Sequence, residues 1–176
     1  MNQLHGVPRR VLCFICQKGL MDLSGYIKNI RKKVGHDRVI VAGAGVFIYK
    51  DSKVLLQKRK DNSCWAMHGG GIEIGEKVEE AVKRELLEET GLIANDLELL
   101  GIFSGENMLY TYPNGDEVYV IAISYVCRDF SGEMLLETDE TNGLNWFDIN
   151  NIPDNINPPD IEPLKAFLKY VKATAH

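Results

Sequence analysis

The residues best placed to do chemistry in this chain are three glutamates, Glu85, Glu88 and Glu89. On a helix they fall at i, i+3 and i+4, so their carboxylates converge on one face. Like charges so spaced destabilise an isolated helix by roughly 0.2–0.5 kcal/mol per pair. An ordinary solvated helix would interleave Lys or Arg. Here Glu85 has Ala81 and Glu89 at its i±4 positions, and only Glu88 has a basic neighbour at that spacing, Arg84. A hard divalent cation would neutralise such a face, and Mg²⁺ typically combines a few carboxylates with the phosphate oxygens of a substrate. The competing reading is a plain charged surface helix. Two features weigh against it. Gly69, Gly70 and Gly71 lead in through Gly75, and backbone without side chains can approach a ligand closely and offer a carbonyl to a metal. Val78, Val82, Leu86 and Leu87 give the helix an apolar side on which to be held rigidly. Arg59, just upstream, could meet phosphate oxygens with its fork, or could be a surface arginine.

These residues need elements to carry them. Leu23, Tyr26, Ile27, Ile30 and Val34 fall at helical spacing, so an N-terminal helix is expected within residues 21–36. Val39 to Tyr49 and Lys53 to Arg59 read as two strands of a hairpin turning at Asp51-Ser52. The acidic helix is expected from about Lys77 to Thr90, with Gly91 as its stop. Further strands are expected at Leu97–Phe103, Met108–Tyr112 and Glu117–Cys127, the last two around the turn Pro113-Asn114-Gly115-Asp116. A late strand at Leu144–Ile149, a proline-rich loop and a closing helix at Ile161–Val171 complete the chain. Mostly antiparallel strands with a few inserted helices predict an α+β fold, or a mixed sheet covered by helices on both sides.

Composition bounds the rest. The chain has 176 residues, 45% hydrophobic and 26% charged, with a formal net charge of −5. That is one domain with enough residues for a core. The acidic balance argues against a nucleic acid polymer as partner, which needs a basic surface. A small phosphorylated substrate remains compatible, because a bound metal can supply the positive charge. No apolar run reaches membrane length, so no membrane association is expected and the protein reads as cytoplasmic. Of Cys13, Cys16, Cys64 and Cys127, the first two have C-x-x-C spacing. No second pair completes a zinc site, so free thiols are expected, with a zinc or redox role as the alternative. Residues 1–20 show no clear period. Met21 reads as the natural start, with 1–20 a dispensable extension and 37–176 the main domain.

Gly70, five residues, Glu76, seven residues, then Arg84-Glu85-Leu86-x-Glu88-Glu89-x-Gly91-Leu92 resembles the Nudix box at every specified position. Trp65 and Asn145-Trp146-Phe147 also fall where such domains place them, and the resemblance covers roughly 39–171. It implies a Nudix fold, an α/β/α sandwich with a mixed, mainly antiparallel sheet between helices. It implies Mg²⁺, with Mn²⁺ able to substitute, held by Glu85, Glu88, Glu89 and the Gly70 carbonyl. Glu76 and Arg84 would be the pair fixing loop to helix. Glu140, six residues before Trp146, would be an added carboxylate for metal binding or general base work, with Glu137 as rival. The family commonly has Pro before the paired glycines. This chain has His68 there, which would face substrate phosphate or serve no special role.

The implied reaction is hydrolysis of a nucleoside diphosphate linked to a further group, by water attack on phosphorus. MutT-type nucleoside triphosphate hydrolysis is the first expectation, and ADP-ribose or nucleotide-sugar pyrophosphatase activity the alternative. Phe103, Tyr110, Tyr112 and Tyr119 could stack on a base or pack in the sheet. A non-catalytic nucleotide-sensing module is the reading of another class, disfavoured because every box carboxylate is present. Homodimers are common in the family, and Leu23–Val34 is a candidate contact helix.

Overall fold

β-Branched and aliphatic residues crowd Val39 to Arg59, and that stretch makes the centre of the sheet. The computed structural model describes residues 25–135 and 141–174. Helix α1 (Tyr26–Val34) comes first, then β1 (Val39–Lys50) and β2 (Lys53–Arg59) in the expected hairpin. Lys50 pairs with Lys53, so the loop is Asp51 and Ser52 alone, at φ 50° and 60°. Positive φ at both central residues lets a two-residue turn follow the twist of its strands.

Two short strands follow, β3 (Trp65–Ala66) on β2 and β4 (His68–Gly71) on β1. Helix α2 spans Val78–Thr90. Strands β5 (Leu92–Ala94), β6 (Glu98–Phe103), β7 (Leu109–Thr111), β8 (Glu117–Cys127), β9 (Phe130–Gly132) and β10 (Thr141–Asp148) come next. A 3-10 turn at Pro158–Asp160 leads into α3 (Ile161–Ala173). The main sheet runs β10-β2-β1-β8-β6. Only the β1–β8 pairing in it is parallel among the described residues, and the others are antiparallel.

Alternation along β1 decides the layers. Val46 and Ile48 face α2, where they pack with Leu55, Ala81, Val82 and Leu86. Phe47 points the other way and joins Val54, Leu56, Leu164, Phe167 and Val171 beneath α3. Phe47 and Phe167 stack at 4.7 Å. Complete burial of a side chain of this size contributes about 1.5–3 kcal/mol. The architecture is the expected α+β sandwich, with a mixed sheet between helices.

Three expectations need adjusting. β4 was expected as a glycine-rich loop. Its sequence, His-Gly-Gly-Gly, has little strand propensity, and pairing with β1 overrides it. The late strand starts at Thr141, ahead of Leu144. Among the described residues α1 covers Tyr26–Val34 and buries none of its side chains fully. Polar contacts hold it instead: Glu73 accepts the Gly25 and Tyr26 amides at 2.9 and 3.2 Å, and Arg31 donates to the Glu117 carbonyl at 2.6 Å.

Candidate active site

Helix α2 begins with Glu79 and Glu80 in its first turn, where acids favour the helix dipole. Ala81, Val82 and Leu86 lock its apolar side into the core. The opposite side therefore presents the glutamates at fixed heights. They are unequal: the Glu89 side chain is 6% exposed, that of Glu85 14% and that of Glu88 60%.

Glu85 lies against the backbone of Gly70. A Cβ added at Gly70 would stand 2.5 Å from Glu85 Oε1 and 2.6 Å from its carboxyl carbon. Only glycine leaves room for that carboxylate beside the β4 backbone. Glu89 reaches the next strand position, accepting the Gly69 amide at 3.0 Å. The fold thus sets Glu85 against Gly70 and Glu89 against Gly69.

Arg84 organises the approach. Its Nε and Nη2 donate to the two Glu76 oxygens at 2.8 and 3.0 Å, and Nη2 also meets the Gly71 carbonyl at 3.1 Å. The expected loop-to-helix pair is therefore present. Nη1 lies 2.6 Å from Glu85 Oε1 and 3.3 Å from Glu88 Oε2. The Glu76 hydrogen bonds, opposed by burial and reinforced by Glu85, raise the guanidinium pKa further. Glu85 does have a basic partner, contrary to the reading from i±4 neighbours. Adjacent helix positions do not face each other, but a long arginine bends back across the gap. Among the described residues no three His, Cys, Asp or Glu side chains stand close enough to hold a metal as placed. Arg84, drawing Glu85 and Glu88 to itself, supplies the positive charge in this arrangement.

A cleft of about 280 Å³ opens in front of Glu89, lined also by Gln57, Arg59, Lys60 and Asp61. Arg59 therefore shares a cavity with the acidic face. Asp61 grips it through Nε and Nη2 at 2.8 and 2.7 Å. Burial works against the Arg59 charge, but Asp61 more than compensates, and the Arg59 pKa rises. Thr141 pairs with Arg59 across β10 and β2. Glu140 and Glu137 lie outside the described residues, as do Cys13 and Cys16.

His68 does not face the cleft. It is 0% exposed and has no surface to offer a phosphate. Its Nδ1 lies 3.8 Å from Glu89 Oε2, and neither ring nitrogen makes a well-formed hydrogen bond. Burial pushes its pKa down to about 4, with the Leu55 carbonyl opposing slightly, so the ring is neutral at pH 7.

Behind the cleft sits a polar group that the sequence reading missed. Asn62 Nδ2 donates to Tyr110 Oη at 3.1 Å and to Asn157 Oδ1 at 3.0 Å. Asn157 Nδ2 and the Met67 amide donate to Asp160 Oδ2 at 3.2 and 3.3 Å. Burial pushes the Asp160 pKa up to about 6 against the pull of Asn157 and Arg59. Only the proline-rich run around Pro158-Pro159 hinted at this loop, and no spacing links residue 62 to residue 157. Tyr110 and Tyr112 meet edge to face at 4.9 Å, and Tyr119 Oη accepts the Gly105 amide at 2.8 Å, so these three rings are engaged within the fold.

Comparison with known proteins adds a second line of observation. A domain model described as the NUDIX domain matches residues 39–167. An ADP-ribose pyrophosphatase of Methanocaldococcus jannaschii is 43% identical over 154 residues, covering 80% of this chain and 86% of that protein. A nucleoside triphosphatase of Salmonella paratyphi B is 34% identical over 108 residues, covering 56% of this chain and 75% of that one. The crystal structure of a MutT NUDIX hydrolase from Burkholderia pseudomallei is similar at a TM-score of 0.62 and 30% identity, over 73% of this chain and 98% of that chain.

Proposed function

The chain belongs to the NUDIX family, hydrolases of pyrophosphate bonds, and from that premise we propose that it is a Mg²⁺-dependent pyrophosphatase of ADP-ribose or a closely related nucleoside diphosphate sugar. The observation that carries the substrate is the 43% identity to an ADP-ribose pyrophosphatase across most of both chains. This reverses the order suggested by the sequence alone, which put nucleoside triphosphates first. That second reading keeps support from the nucleoside triphosphatase and MutT likenesses.

The donor set fits a hard divalent cation. Carboxylate oxygens of Glu85, Glu88 and Glu89 and the Gly70 carbonyl are the oxygen ligands Mg²⁺ prefers, and Gly70 has no Cβ to displace Glu85. A cation held there would neutralise the diphosphate and lower the pKa of a bound water. The chain's own residues do the rest. Arg84 holds Glu85 and Glu88 in line with the loop. The Gly69 amide fixes one Glu89 oxygen. A carboxylate of this group, or Glu140, accepts the proton as water attacks phosphorus. Arg59 and Lys60 are suited to the phosphate oxygens. Cleavage of the P–O–P link in ADP-ribose gives AMP and ribose 5-phosphate. Cys64 and Cys127 are free thiols, which suits a cytoplasmic setting.

Purified protein with millimolar Mg²⁺ should hydrolyse ADP-ribose at least tenfold more efficiently than any nucleoside triphosphate, read as AMP against pyrophosphate release. Faster pyrophosphate release from a triphosphate would reverse the assignment. Glu88→Gln and Glu89→Gln should each lower kcat by roughly 10²–10⁴-fold with an unchanged circular dichroism spectrum. Full activity in either variant would overturn its place in the site. A chain beginning at Met21 should keep wild-type activity, and an inactive or insoluble product would refute the dispensability of residues 1–20.

A further inference from the structure

We propose that His68 is a positioning residue, whose buried imidazole N–H orients the Glu89 carboxylate for cation binding. The proposal rests on Glu89 being one of the metal carboxylates inferred above. Its starting point is an imbalance. His68 is completely buried, and neither ring nitrogen makes a well-formed hydrogen bond, the Leu55 carbonyl acting on the ring against the cost of burial. A buried polar group left without a good partner costs stability. An apolar residue of similar size would avoid that cost, so the imidazole must answer to something other than resting stability.

The nearest charged atom indicates what. Glu89 Oε2 lies 3.8 Å from Nδ1, about 1 Å beyond a hydrogen bond. A small shift of the carboxylate closes that gap. His68 cannot easily turn elsewhere, because β4 is registered against β1 with His68 opposite Val46. Oε2 already accepts the Gly69 amide. A second donor on the same oxygen fixes the plane of the carboxylate. An outer partner of this kind typically contributes 10–100-fold to metal affinity or activity.

The test compares His68→Leu, which removes the N–H, with His68→Gln, which keeps a donor. Mn²⁺ alone is titrated by calorimetry, the metal-free melting temperature is recorded, and kcat and KM for ADP-ribose are measured at saturating Mg²⁺. His68→Leu should weaken Mn²⁺ binding roughly tenfold or more. It should lower kcat more than it raises KM, and should melt no lower than the wild type. His68→Gln should regain most of the Mn²⁺ affinity. Wild-type affinity in His68→Leu, or equal losses in both variants, overturns the proposal. If His68→Leu does not fold, His68→Met carries the same comparison. In a Glu89→Gln background the effect of His68 should vanish, and its persistence also overturns the proposal. Wild-type Mn²⁺ binding by Glu89→Gln alone would instead remove Glu89 from the metal site, and the role of His68 with it.

Discussion

Glu85 and Gly70 are in such close contact that one methyl group decides their relation. Gly70→Ala would place its Cβ 2.5 Å from Glu85 Oε1, closer than atoms tolerate. The obstacle is the end of a flexible side chain, so the fold can yield by swinging the carboxylate away. Stability should therefore change little, while kcat falls by at least tenfold. A thermal melt beside a rate assay checks both halves, and retained activity would show that Glu85 need not lie against Gly70. Arg84 sets the other constraint on Glu85. Each carboxylate has about four lone-pair positions, so Glu85 and Glu88 can keep the guanidinium while turning other lone pairs to a cation. At this scale the sequence was legible where spacing carries meaning. The i, i+3, i+4 pattern places three carboxylates without any tertiary knowledge. It was silent on His68, because nothing in the residue type or its neighbours distinguishes a buried imidazole from an exposed one.

Helix α2 keeps its glutamates in place only if its far end is pinned. Gly91 closes the helix at φ 75°, its amide bonded to the Leu87 carbonyl at 2.9 Å. The segment after β9 crosses directly over it. A Cβ at Gly91 would meet the Glu133 carbonyl oxygen at 2.4 Å and Leu135 Cγ at 2.9 Å. Gly91→Ala should thus cost about 2 kcal/mol or more, adding backbone collision to the roughly 1–2 kcal/mol of left-handed strain. Asn usually rescues a left-handed cap, but here it carries the same Cβ. Denaturant unfolding of both variants should give similar losses, and a clear rescue by Asn would refute the collision. Helix α2 and the β1–β2 hairpin were readable because each declares itself locally, by apolar period, stop signal and turn residues. β3, β4, β5 and β9 were not, since two to four residues carry no period and form only where a partner strand accepts them. The polar link from Asn62 through Asn157 to Asp160 escaped for the same reason, because it joins loops that meet only in the folded chain.

That link ties the cleft wall to α3 and gives the whole molecule a pH response. Asp160 titrates near 6 when folded, above its ordinary value of 3.8. Between about pH 4 and 6 the folded chain holds a proton that the unfolded chain has released, so stability falls as pH rises through that window and levels above it. Asp160→Asn should abolish this slope and be more stable than the wild type at pH 7, by an effect on the order of 1–2 kcal/mol. Urea unfolding at pH 4, 5, 6 and 7 measures it, and an unchanged slope would assign the response to another group. The parallel β1–β8 ladder has a different consequence, for the order of assembly. β1 and β8 are neighbours in space, Val39 beside Val118 and Ile48 beside Cys127, yet almost half the chain lies between them. A ribosome delivers the hairpin and the acidic helix well before the strand that completes their sheet. Closing that long loop, rather than winding any helix, sets the pace of folding. Until Cys127 has been synthesised, β1 carries an open hydrogen-bonding edge, and a stalled or truncated chain is most exposed to aggregation along it.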